Sequence, residues 1–132
     1  MVLDTSAIIA ILFGEPEREP FSDIIATEPA LAVSAVTAYE SAIVTASKKR
    51  DRRAAGLVDE FIAQVAIEIV PADAAQTLAA REAYLRFGRG WHAAGLNLAD
   101  CFSYALAHTR GEPLLFKGND FNATDIVPAW RG

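Results

Sequence analysis

The chain has 132 residues, 52% hydrophobic and 22% charged, the balance of a globular protein with its own core rather than a disordered or repeat protein. A net charge of −5 argues against a uniformly basic nucleic-acid binder, and no apolar run approaches the roughly 20 residues that a membrane-spanning helix needs. The single cysteine, Cys101, excludes an internal disulfide framework and fits a reducing compartment, so a cytoplasmic protein with no targeting segment and no membrane association is expected.

The apolar run Met1-Val2-Leu3 predicts a strand that meets an acid and two hydroxyls at Asp4-Thr5-Ser6. If that strand is central in a parallel sheet, Asp4 lies at its carboxyl end, the edge at which open α/β sheets bind ligands. Thr5 or Ser6 can cap a helix through Leu12, broken by Gly14-Glu15-Pro16. A second helix ends near Thr27, its start limited by Pro20. Ala30 to Val33 is a strand candidate, and Ser34 caps a helix to about Lys49, with the bases Lys48, Lys49, Arg50, Arg52 and Arg53 gathered around its end.

Ala54 to Ala66 reads as a helix and Ile67 to Val70 as a strand. Asp73 with Gln76 resembles a capping box that opens a helix to Phe87. Gly88, Gly90 and Gly95 predict a mobile loop carrying Arg89, Trp91 and His92. Asn97 caps a helix through Arg110, stopped by Gly111 and Pro113. Leu114 to Lys117 is the last clear strand, 118 to 122 a turn, and Ile126-Val127 a short edge strand. Strands alternating with helices predict one three-layer α/β/α domain over 1–132, with a mainly parallel sheet of four or five short strands.

Four acids fit one constellation. Asp4 and Asp120 each follow a strand, Asp100 stands at the third position of an apolar helix, and Glu40 lies between Val36 and Val44 on the shoulder of an apolar stripe. Each has an ordinary reading when taken alone: Asp100 as a helix cap, Glu40 as a boundary acid paired with a base, Asp120 as a turn residue. Together they repel: a carboxylate pair about 5 Å apart at an effective dielectric of about 20 costs roughly 3 kcal/mol. Protons or a divalent cation must offset that, and an all-oxygen set without organised His or Cys suits Mg²⁺, or Mn²⁺, rather than zinc. Mg²⁺ commonly binds substrate phosphate oxygens as well, which points to phosphoryl chemistry. With these four acids set aside, the remaining charge is nearly balanced.

The stretches Val2-Leu3-Asp4-Thr5-Ser6-Ala7, Ser34 to Glu40, Ala94 to Ala105, and Leu114 to Phe121 followed by Thr124-Asp125 resemble, in order, PIN-domain ribonucleases, and more closely the VapC toxins of VapBC toxin-antitoxin modules. The resemblance covers the whole chain. It implies a PIN-like fold and a Mg²⁺-dependent endoribonuclease, with Asp4 and Asp100 as principal metal ligands and Glu40 and Asp120 completing the acidic site. Asn119 stands where many relatives carry another acid, so a second ion would lack that charge, while Asp125 could contribute through water. In the expected reaction a metal-activated water attacks an RNA phosphodiester in line, with Glu40 or Asp120 orienting or deprotonating it. Ser6 either hydrogen-bonds a ligand carboxylate or phosphate, or caps its helix. The resemblance also implies a VapB-like antitoxin whose tail occupies the active-site groove, and a homodimer.

Arg89, Trp91 and His92 could grip single-stranded RNA, since aromatic faces stack on bases and Arg binds phosphate; the alternative is a Trp covering the core edge. His108 and Cys101 read as structural. A haloacid-dehalogenase-like phosphatase would need a second Asp where Ser6 stands, and a phospho-receiver would use a strand-end base such as Lys117 but needs its acceptor on an internal strand. The remaining rival is a PIN-like interaction module with a vestigial nuclease site.

Overall fold

A computed structural model describes residues 1–132. Its chain order is β1 (Val2–Leu3), α1 (Thr5–Leu12), α2 (Arg18–Thr27), β2 (Leu31–Ser34), α3 (Ala35–Lys49), α4 (Gly56–Gln64), β3 (Ile67–Val70), α5 (Ala74–Phe87), α6 (Leu98–Arg110) and β4 (Leu114–Leu115). The strands form one parallel sheet in the order β3-β2-β1-β4. Because β4 lies on the opposite side of β1 from β2 and β3, the winding reverses between β1 and β4. The crevice at their carboxyl ends is therefore the topological switch point.

Alternation along the strands divides the core into two layers. Leu3, Val33 and Leu115 face α1, α2 and α4 through Ile8, Phe21 and Val58, whereas Val2, Ala32, Leu114 and Phe116 face α5 and α6 through Ala83, Tyr104 and Leu106. Burial on both sides explains why β1 and β2 read as continuous apolar runs. The result is the expected α/β/α sandwich with four short strands. Where α3 crosses α6, the buried hydroxyls of Thr37 and Ser103 hydrogen-bond at 2.9 Å. Glu40 lies one turn after Thr37 and Asp100 one turn before Ser103, so that contact positions two of the acids.

Several local expectations shift. Ile126-Val127 forms no strand: Pro128 makes one parallel bridge to Leu114, with the Leu114 N–H donating to the Val127 carbonyl at 2.9 Å. The last strand ends at Leu115 rather than Lys117, because the Lys117 N–H donates to a side chain, Ser6 Oγ, at 2.9 Å. Residues Arg52–Ala55 make a 3₁₀ turn before α4. Pro20 falls in the first turn of α2, where a missing N–H costs nothing. The box at Asp73 is half formed: its carboxylate accepts the Gln76 N–H at 2.9 Å, but the Gln76 amide donates to Thr109 Oγ1.

The glycine loop is tied at both ends. Leu96 N–H donates to the Phe87 carbonyl at 3.0 Å, Arg89 N–H to the Leu96 carbonyl at 3.1 Å, and the Tyr84 hydroxyl to the Arg89 carbonyl at 3.0 Å. Gly88 is required by close approach, since a Cβ there would come within 2.4 Å of the Tyr84 carbonyl oxygen.

Candidate active site

Asp4 ends β1 and caps α1. Its backbone is extended, its N–H donates to the Leu115 carbonyl at 3.0 Å, and its Oδ2 accepts the Ser6 N–H at 3.0 Å and the Ser6 hydroxyl at 2.7 Å. Only 4% of Asp4 is exposed. The cap of α1 is therefore Asp4 and not Thr5 or Ser6; of its two readings Ser6 fulfils the other, hydrogen-bonding a candidate ligand from inside the first turn. Its Oγ also accepts the Lys117 N–H, tying α1 to the end of β4.

Asp100 is the third residue of α6. Its Oδ2 accepts the Asn97 N–H at 3.0 Å while the Asn97 side chain accepts the Asp100 N–H at 2.9 Å, a complete capping box. Burial first, and then the negative charges of Asp4, Asp120 and Glu40, push the Asp100 carboxyl up to about 7 against the pull of the Asn97 N–H. Glu40 is half-buried on α3, and Asp120 is exposed in the turn after β4.

All four acids line one open cavity of about 470 Å³ at the switch point. Ile9 and Val44 form part of its wall, and Lys48 and Lys117 are its cations. No three acidic, His or Cys side chains form a ready metal cage. The donor set still fits a hard cation: it is all oxygen, Asp100 carries the strain of unneutralised charge, and Mg²⁺ usually takes one or two carboxylates and completes its shell with water and phosphate.

Two supporting residues lie elsewhere. Asn119 Oδ1 accepts the Asn122 amide at 3.0 Å and lines a separate cavity beside Trp130 and Arg131. Asp125 accepts the Tyr104 hydroxyl at 2.5 Å and pairs with Arg86 at 3.5 Å; the Tyr104 bond holds its carboxyl below the usual range. Asn119 is engaged within its turn and Asp125 by side chains of α6 and α5, and neither lines the acidic cavity.

Of the loop residues, Trp91 is 67% exposed and does not cover the core edge. Arg89 lines a groove between α5 and α6 with Tyr84, Leu98 and Phe102. His92 is committed internally: its Nδ1 accepts the Ala94 N–H at 3.0 Å and its ring stands edge-on to Phe87 at 5.2 Å. Cys101 is buried, and burial pushes its thiol up to about 11, which leaves it a core group.

Sequence reasoning missed Glu15 and Lys117 as lining residues. Lys117 Nζ pairs with Glu15 at 2.8 Å and Glu17 at 3.0 Å, across about a hundred residues of chain, and no local pattern signals such a pairing.

The PIN domain family model matches residues 1–127. "Ribonuclease VapC" of Mycolicibacterium smegmatis is 45% identical over 127 residues, spanning 96% of this chain and 98% of the relative. Among solved structures, VapC20 of Mycobacterium tuberculosis, described as a sarcin-ricin loop cleaving toxin, superposes with a TM-score of 0.77 at 19% identity, covering 96% of this chain and 95% of that one. VapBC2 of Rickettsia felis, bound to a DNA fragment from its promoter, gives a TM-score of 0.72 at 16% identity, covering 96% and 94%. By a family match over almost its whole length and a relative 45% identical end to end, the chain belongs to the PIN-domain family, among the VapC ribonucleases.

Proposed function

We propose that the chain is a Mg²⁺-dependent endoribonuclease, the toxin of a toxin-antitoxin pair, and that Asp4, Glu40, Asp100 and Asp120 form its active site. The observation that carries this reading is the gathering of four carboxylates, one of them pushed up to about 7, at the switch point of a parallel sheet.

Asp4 and Asp100 would hold the cation, because each spends one oxygen on a helix cap and keeps Oδ1 clear of any protein hydrogen bond. The bound ion supplies Lewis-acid stabilisation of phosphate charge and a more acidic water. Ser6 fixes the Asp4 rotamer through two bonds to Oδ2. Glu40, held by the Thr37–Ser103 contact, orients the attacking water, and Asp120, free in its turn, takes its proton. Asn119 and Asp125 have no part in this site as they stand. Trp91 offers an open face for stacking on a base and Arg89 a cation in the groove between α5 and α6, whereas His92 shapes the loop.

The structural relatives, which include toxin-antitoxin complexes, support an antitoxin partner. A VapB-like antitoxin would close the groove over the acids, and homodimerisation would draw on exposed apolar residues such as Tyr39 and Leu98. The decisive experiment is Mg²⁺-dependent cleavage of total RNA by wild type and Asp4→Asn. Asn keeps the capping acceptor, so the variant should fold with an unchanged circular dichroism spectrum and lose cleavage. Undiminished cleavage would falsify the assignment, and metal binding without cleavage of any RNA would favour an interaction module.

A further inference from the structure

A polyanion must approach a protein of net charge −5 at a cavity lined by four carboxylates. Of the two cations lining that cavity, Lys117 is neutralised by both Glu15 and Glu17. Lys48 is exposed, belongs to no ion pair, and holds its ammonium 5.2 Å from the centroid of the Phe13 ring. It lies two turns after Glu40 on α3, about 12 Å along the axis. Helical side chains lean toward the amino terminus, which brings Lys48 back over Val44 toward the acids. The position suits a phosphate that flanks the reacting one and not the reacting one itself. Lys49 also approaches Phe13, at 5.1 Å, yet does not line the cavity.

We propose that Lys48 is the phosphate-binding residue of the active-site groove, gripping the RNA backbone next to the bond held among Asp4, Glu40, Asp100 and Asp120, with the Phe13 face holding its ammonium at the rim. This rests on the nuclease reading above and names where the strand leaves the acids.

The test measures binding and cleavage separately. Affinity for a short, labelled single-stranded RNA of mixed sequence is followed by fluorescence anisotropy with Mg²⁺ in an Asp100→Asn background, across a salt series. Adding Lys48→Ala should weaken binding about tenfold and reduce the slope of log affinity against log salt by about 0.7, one phosphate contact on a single strand. Lys48→Arg should restore both, and Lys49→Ala should change neither. In otherwise wild-type protein, Lys48→Ala should raise KM about tenfold and leave kcat within about twofold, since the contact is uniform in ground and transition states. An Asp100→Asn/Lys48→Ala protein with unchanged affinity and slope overturns the proposal while leaving the nuclease reading standing. Lys48-dependent binding without cleavage by wild type supports the contact and overturns the nuclease reading; absence of both binding and cleavage overturns both.

Discussion

Replacing Asp100 with Asn should stabilise the metal-free protein while removing its activity. The Asp100 carboxyl ordinarily titrates at 3.8 and here sits at about 7, a rise of about three pK units caused first by burial and then by the charges of Asp4, Asp120 and Glu40. At about 1.4 kcal/mol per unit the ceiling is ~4 kcal/mol; water and counterions in an open cavity reduce it to about 2 kcal/mol. The sign follows from proton binding. Between about pH 4 and 7 the native state holds a proton that the unfolded chain has released, so wild-type stability falls as pH rises through that window, and the full penalty applies above it.

Asn carries no charge and keeps an oxygen for the Asn97 N–H, so the capping box survives the substitution. For a chain of this size about 2 kcal/mol corresponds to a melting temperature higher by roughly 7 °C near pH 8, a gain that should vanish near pH 4. Thermal melts of both proteins in chelator across that range are the assay. Adding Mg²⁺ near pH 8 should raise the wild-type melting temperature by relieving the same repulsion, and raise that of the variant less. Equal melting near pH 8, or wild-type stability that does not change between pH 5 and 8, would refute the claim that burial and the neighbouring acids together penalise the Asp100 carboxylate.

Three further outcomes test the supports of the site. Ser6→Ala leaves the Lys117 N–H without its acceptor and Asp4 without one donor, and should cost about 1–3 kcal/mol in urea unfolding together with much of the cleavage rate. Gly88→Ala drives a Cβ to 2.4 Å from the Tyr84 carbonyl oxygen, so urea unfolding should show a loss of about 1–3 kcal/mol as the loop shifts. Trp91→Ala, at a side chain 67% exposed, should leave stability within about 0.5 kcal/mol yet weaken single-stranded RNA binding about tenfold; unchanged affinity would remove the loop from the RNA path.

What was legible in the sequence was what backbone periodicity controls. Asp4, Asp100 and Glu40 each stand at a defined phase of a strand end, a helix cap or an apolar stripe, and a parallel sheet converts those phases into positions at one edge. Asn119 and Asp125 carry no such phase: they follow β4, where Asn122, Tyr104 and Arg86 decide their directions. The Lys117 pairs with Glu15 and Glu17 were hidden for a related reason, since the loop after α1 meets the end of β4 only once the sheet has formed. The basic cluster was too coarse a unit, as Lys48 alone among its five members lines the cavity while Arg53 pairs with Asp51 at 3.3 Å.

Capping and the proposed ligation are compatible roles for Asp4 and Asp100, and the caps orient both side chains for the second role. Each acid starts a helix, α1 or α6, whose first N–H groups hold Oδ2, as at Ser6 for Asp4, or whose cap does so, as at Asn97 for Asp100. That bond fixes the rotamer and leaves Oδ1 as the oxygen available to the cavity. The amino ends of both helices also direct partial positive charge at the switch point, which lowers the cost of keeping carboxylates there and favours a bound phosphate. At Asp100 these gains are smaller than the costs of burial and of three neighbouring acids, as its carboxyl near 7 shows. The folded chain therefore retains unneutralised negative charge at the point where two caps hold it in place, and a divalent cation bound there, as proposed above, would gain affinity from repulsion already built into the fold.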